Sequence, residues 1–408
     1  MSAAARTTRT LGLGSAANGL LAYLVFVMTT RSLGPDAASP VSVLWSYWAF
    51  TGAAFTFPLQ HWIARTVTAH GDGAVQKALP RIGVLVLAVS VVLGGAAWAA
   101  REPLFHRSDA WFPAMVAAVT LGSALIGVLR GGLTARHRWN ALAWSLAGEN
   151  AVRCAGVGVL ILLGNQDVVA YGLCLVAGPA VAVLWPSALR FRATPVVGRA
   201  PNPLAFLAGA SLAQLIGQVV LTGGPVVLAL VGGSPRAVTT LFAALALFRA
   251  PYMLALGMVS QLTTRVAHLV MSGDVESMRR MRRWLRIGTA GLVVLAGLGA
   301  ALLGPFLLRL IFGSEVELSR GLTALVAVGC TVAVANLVLM VSSLAQGRSA
   351  AVARGWLVGI AASVVAFFVL TALGVGDEPA VVWCFVVAEA VAYGALSLVE
   401  RVQRPRYR

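Results

Sequence analysis

The chain has 408 residues, 59% of them apolar and only 11% charged, with a mean hydropathy of +0.85. Soluble domains carry roughly a quarter charged residues, so a water-soluble globular protein is excluded and an all-α polytopic membrane protein is expected. The net charge of +17 would suit a nucleic-acid partner. However, the basic residues are scattered over many short loops and form no single stripe or domain, so no nucleic acid is expected.

The first apolar run, 11–30, follows Arg6 and Arg9 as a secretory signal would. It is long for a signal, and many further runs follow, so it is read as the first transmembrane helix. The others fall at 41–63, 82–100, 111–129, 140–163, 168–189, 203–231, 237–262, 285–312, 321–345, 355–374 and 379–399. Each approaches the roughly 20 residues needed to cross a bilayer core, which predicts about twelve spans. With the N-terminus inside, 23 of the basic residues fall on cytoplasmic connections, Arg130, Arg136 and Arg138 among them, and 6 fall outside. This bias places both termini in the cytoplasm. The connection RFRATPVVGRAPNP (190–203) is the longest polar one, and it predicts a six-span lobe over 1–197 and a second over 198–408.

Two pairs of runs look alike. VSVLWSYWAFTGAAFTFPLQHWIART (41–66) and VTTLFAALALFRAPYMLALGMVSQLTTR (238–265) share a Ser/Thr-rich start, a mid-run proline (Pro58, Pro251) and a closing Gln near a Thr-Arg pair. GSAANGLL and GASLAQLI open runs 1 and 7. With six spans per lobe the copies point the same way, as a parallel pseudo-repeat. Gly223-Gly224-Pro225 and Gly304-Pro305 are expected to break runs 7 and 9. GDVESMRRMRRWLR (273–286) reads as a basic amphipathic helix at an anionic cytoplasmic leaflet, or as a topogenic stop only.

A few polar groups lie where hydrocarbon is expected. In WSLAGENAVRCAGVG (144–158), Glu149 and Arg153 stand four apart, on one helix face and in the favourable order for pairing. Arg249 lies two residues before Pro251, which cannot donate to the Leu247 carbonyl. Glu389 stands alone in FVVAEAVAY. A charge at mid-membrane costs about 2.5–3.5 kcal/mol on insertion scales, so these groups are expected to face a bundle interior or a wet cavity between the lobes. Two guanidiniums there suit an anion, ideally phosphate, by forked hydrogen bonds. The carboxylates suit proton exchange or a cation. Internal pairing, Glu149 with Arg153 and Glu389 with Arg249, is the structural alternative. Asn18, Asn150, Gln214 and Gln218 are candidates for sugar hydroxyls, or for bridging helices.

Cys154, Cys174, Cys330 and Cys384 all lie in apolar runs without metal-site spacing. No metal and no cofactor is expected. No Walker A loop, HExxH or GxSxG is present, and no enzymatic activity is expected. The outer pair Glu315 and Glu317 is a weak signal for a glycosyltransferase or polymerase.

The pattern resembles the multidrug/oligosaccharidyl-lipid/polysaccharide exporter superfamily, and within it the flippases of polysaccharide biosynthesis. The resemblance is carried by TTRSLGPDAAS after run 1 and LRGGLTARHRWNALAWSLAGENAVRCAGVGVLI (129–161), where a basic loop leads to a span with Glu and Arg. ALFRAPYMLALGMVSQ and LRLIFGSEVELSRGLTALVAVG carry it further. It implies two six-helix lobes around a cationic cavity in the plasma membrane. Alternating access there would move a polyprenyl-diphosphate-linked oligosaccharide, with glycan-assembly enzymes and membrane lipids as partners. It makes Arg153 and Arg249 candidate diphosphate contacts, and Glu149 and Glu389 candidates for coupling or positioning. The alternatives are a cation- or proton-coupled drug exporter of the same fold, and a membrane glycosyltransferase.

Overall fold

The structure is a computed structural model that describes residues 3–196, 203–257, 275–345 and 348–401. The described residues are helical with no strands. Among the described residues, eight helices are long and apolar enough to cross a membrane. In the first half these are α1 (Ala3–Ala37), α4 (Asp72–Ala99), α6 (Trp111–Ala135) and α7 (Trp139–Leu162). In the second they are α13 (Val275–Phe312), α14 (Arg320–Ala345), α15 (Ser349–Ala372) and α16 (Asp377–Arg401). The remaining four apolar runs are interrupted, each with an identifiable cause.

Run 41–63 forms α2 (Ser39–Thr51), a π-helical turn at Gly52–Thr56, and α3 (Phe57–His70). Pro58 lies just beyond the turn and has no N–H for the carbonyl of Ala54. The hydroxyl of Ser211, 157 positions away, donates to that carbonyl at 2.6 Å. In hydrocarbon no water is at hand to satisfy a freed carbonyl, so a neighbouring hydroxyl does so. Ser211→Ala is expected to cost about 1–2 kcal/mol, the penalty of a buried unpaired acceptor. The check is the thermal midpoint of the purified protein, with Ser211→Thr retaining it.

Run 168–189 is not one helix, contrary to expectation. It is a nine-residue α8 (Val168–Val176), then 3-10 helix at Gly178–Leu184 and Pro186–Ala188. Pro179 and Pro186 lack the donors an α-helix needs. Run 203–231 parts at Gly223, as expected, into α9 (Pro203–Thr222) and α10 (Gly224–Leu230). Run 237–262 gives α11 (Pro235–Phe248) and α12 (Ala250–Gly257), with Arg249 at the joint. Its last residues, 258–262, lie outside the described residues.

The expected break at Gly304-Pro305 does not occur, because α13 runs through Pro305 without interruption. Gly304 instead serves packing: a Cβ there would lie 2.2 Å from the Thr323 methyl of α14. The basic segment is likewise no separate surface helix. From Val275 it is the first three turns of α13.

The chain forms two compact units, Met1–Gln218 with Ser234–Arg236, and Val219–Gly233 with Ala237–Arg408. The change of unit thus falls within α9. The first part of the connecting segment is strapped onto its own unit. Arg192 N–H donates to Asp72 at 3.2 Å, Gly73 N–H to Thr194 Oγ1 at 2.9 Å, and Arg136 to the Arg190 carbonyl at 2.7 Å. Of the eight long helices, α6 is the most enclosed in the first unit, packing on α3, α4 and α7; in the second α14 takes that place against α13, α15 and α16. These two helices come from runs 4 and 10, six apart.

Candidate functional site

The first unit holds a buried polar cluster built on α7. Glu149, Asn150 and Arg153 are all buried, and Arg153 is fully so. Glu149 accepts from Arg153 at 2.7 Å through Oε1 and from Arg130 at 2.7 Å through Oε2. Trp48 Nε1 adds a third donor, to Oε1, at 3.2 Å. Arg130 also donates to the Ser145 carbonyl at 3.1 Å. Asn150 accepts from Arg153 at 2.7 Å and donates to Asn18 Oδ1 at 2.9 Å, which ties α7 to α1.

Every nitrogen of the Arg153 guanidinium is engaged. Nη1 goes to Asn150, Nη2 to Glu149, and Nε to the Leu175 carbonyl at 2.9 Å. That carbonyl is free because its helical donor would be residue 179, a proline. Gly178 makes the approach possible, since a Cβ there would lie 2.5 Å from Arg153 Nε. The Trp48 ring lies 4.4 Å from Arg153 Cζ, in cation–π range. The pairing expected as the structural alternative is therefore what the structure has for Glu149 and Arg153. Arg153 is closed off from a ligand in this conformation, and its part is to hold α2, α7 and α8 together.

Arg130 corrects the reading that assigned it to a cytoplasmic connection. It lies inside α6, 5% exposed. The overlooked signal is the α6–α7 hairpin, which turns near residues 136–138 and so brings Arg130 level with Ser145 and Glu149. The cluster holds two guanidiniums and one carboxylate, leaving one positive charge in excess.

The second unit has a different arrangement. Glu389 of α16 and Asn336 of α14 are both fully buried. Asn336 Nδ2 donates to Glu389 Oε2 at 2.7 Å and to the Glu389 carbonyl at 2.9 Å. Glu389 Oε1 and Asn336 Oδ1 have no hydrogen-bond partner among the described residues. Arg249 does not pair with Glu389, contrary to the alternative considered above. It makes no ion pair among the described residues, and its Cζ lies 5.5 Å from the Phe242 ring. Backbone hydrogen bonds continue across its joint: Arg249 N–H reaches the Leu245 carbonyl, and Met253 N–H reaches that of Arg249. Gln214 and Gln218 lie one turn apart on α9, both partly buried. Asn336, Trp48 and Phe242 were not singled out from the sequence. Among the described residues no three His, Cys, Asp or Glu side chains gather as a metal site would need.

No protein-family model matches the chain. It is 27% identical over 369 residues to uncharacterized proteins of Mycobacterium bovis and Mycobacterium tuberculosis, covering 85% of this chain and 81% of each relative. Among solved structures it is similar to the inward-facing conformation of a multidrug resistance MATE family transporter of the MOP superfamily. The TM-score is 0.72 at 15% identity, over 94% of each chain. The lipid II flippase MurJ, in an inward closed conformation, has a TM-score of 0.67 at 10% identity, over 96% of this chain and 87% of that one. The chain has the fold of the multidrug/oligosaccharidyl-lipid/polysaccharide (MOP) exporter superfamily. A further MOP transporter, from Pyrococcus furiosus, is described by the reversed polarity of its binding pocket, at a TM-score of 0.58 and 14% identity over 97% of this chain and 94% of that one.

Proposed function

We propose that the chain is a twelve-span plasma-membrane flippase, both termini cytoplasmic, that moves a polyprenyl-diphosphate-linked oligosaccharide by alternating access. The observation that carries this reading is Arg249, a partly buried guanidinium at a helix joint with no carboxylate beside it among the described residues. A guanidinium held in apolar surroundings without a counter-charge suits an anionic ligand, and its planar fork matches a phosphate. The likeness to a lipid II flippase agrees with that preference. Asn18, Asn150 and Arg153 hold one another and position the helices. Gln214 and Gln218 remain the candidates for sugar hydroxyls. Translocation of a labelled lipid-diphosphate oligosaccharide into proteoliposomes tests the proposal. No movement above protein-free vesicles rejects it, and a sugar-transfer activity lost on changing Glu315 and Glu317 would favour a glycosyltransferase.

A second reading, a proton- or cation-coupled exporter of small molecules, is favoured by one observation. Among the described residues, Glu389 Oε1 and Asn336 Oδ1 are two acceptors buried without a donor. A proton or a small cation would satisfy them. Glu389→Gln places a permanent N–H where that proton would sit. It is expected to keep the protein folded, with its thermal midpoint unchanged, and to abolish the response of transport to an imposed pH or sodium gradient. A variant still driven by the gradient removes Glu389 from coupling.

A further inference from the structure

We propose that Arg280, Arg283 and Arg286 form a ridge that binds the headgroups of anionic phospholipids. The argument begins with length. α13 has 38 residues, about 57 Å at 1.5 Å per residue, against a hydrocarbon core of about 30 Å. A large part of it must therefore stand outside the core. Side-chain exposure shows which part. Large apolar side chains open to the surroundings start at Ile287 and continue through Leu295 and Leu302 to Leu310. That stretch is roughly 35 Å long and accounts for the hydrocarbon.

Immediately before it, Arg280, Arg283 and Arg286 are all exposed, and none has a hydrogen bond or ion pair among the described residues. At 100° per residue the three fall within a sector of about 120°. Trp284 and Ile287, 68% and 55% exposed, lie beside them on the same side. From Arg280 to Arg286 the rise is about 9 Å, close to the depth of the polar layer on one side of a bilayer. An exposed tryptophan at the boundary is what an interfacial anchor requires. Three free guanidiniums at that depth meet lipid phosphates, and Glu276 is the one acid in this part of the helix.

Three other arginines are paired. Arg107 pairs with Asp109 at 2.6 Å, Arg236 with Asp36 at 2.8 Å, and Arg309, at the opposite end of α13, with Glu317 at 3.1 Å. The two ends of one helix thus differ, with an ion pair at one and an unpaired basic ridge at the other. The ridge is independent of Arg249 and of the transported substrate.

The test uses the full-length protein in phosphatidylcholine vesicles containing a small fraction of brominated phosphatidylglycerol. Trp284 quenching is isolated by subtracting the Trp284→Phe variant. Brominated phosphatidylglycerol is expected to quench several-fold more than brominated phosphatidylcholine at equal fraction. Arg280→Gln/Arg283→Gln/Arg286→Gln should erase the difference, and Arg→Lys at all three positions should keep most of it. Should the triple Gln variant fail to insert, Arg283→Gln alone is expected to weaken the preference about fivefold, the worth of one interfacial basic residue. Equal quenching by the two lipids in the unaltered protein would overturn the proposal. So would a preference that survives the Gln changes, or one abolished by millimolar inorganic phosphate, which would make the ligand a free anion.

Discussion

Arg249→Ala is expected to lower translocation of a lipid-diphosphate oligosaccharide on the order of a hundredfold or more, with protein level and thermal midpoint unchanged. The magnitude follows from one forked guanidinium–phosphate contact, since hydrogen bonds to charged groups are worth about 1.5–3 kcal/mol each. The unchanged stability follows from the surroundings. Arg249 is bonded to no carboxylate among the described residues, so its removal strands no buried counter-charge, and the joint it occupies is held by backbone hydrogen bonds at Leu245 and Met253. Arg249→Lys keeps the charge but loses the fork, and an intermediate rate is expected. Initial rates in proteoliposomes, normalised to incorporated protein, make the comparison. A wild-type rate in the alanine variant would end the anion reading.

Glu149→Ala is expected to destabilise the protein by about 3–5 kcal/mol, the usual cost of breaking a buried ion pair from one side. The reason is the stoichiometry of the first unit. One carboxylate holds both Arg130 and Arg153, each at 2.7 Å, and its loss leaves two buried guanidiniums facing one another. Arg153→Ala should also be costly, because the Leu175 carbonyl then has no donor in place of the one Pro179 lacks. The triple change Arg130→Met/Glu149→Leu/Arg153→Met is the decisive comparison. Replacing a whole buried ion cluster with apolar side chains is often neutral, so the triple variant should recover most of the midpoint lost by Glu149→Ala. If it also restores transport, the cluster is a staple only. If it restores folding without transport, the cluster positions the helices for the transport cycle. A Glu149→Ala protein as stable as the parent contradicts the account.

The two arginines were alike in the sequence, each a guanidinium in an apolar run, and the structure separates them. Arg153 is locked because Glu149 stands one turn before it, a spacing visible in the residues themselves, and because Pro179 frees a carbonyl opposite it, which is not. Arg130 was missed because it ends an apolar run, where a basic residue ordinarily marks the cytoplasmic boundary. Only the α6–α7 hairpin carries it inward to Glu149. Pro58 was noted as a mid-run proline, but its remedy, the Ser211 hydroxyl, lies 157 positions away. Gly304-Pro305 looked like a break, yet the helix continues, and the glycine is there for the close approach of Thr323.

The amino-acid sequence alone determined the solvent of this protein, the positions of its apolar runs and the short list of residues too polar for them. Those properties depend on composition and on spacing within a single helix, and both can be read locally. Which of those residues hold each other and which stay unpartnered was decided by the tertiary structure. A buried charge is satisfied by donors and acceptors on other helices, and in hydrocarbon, where water cannot substitute, the folded arrangement alone supplies them.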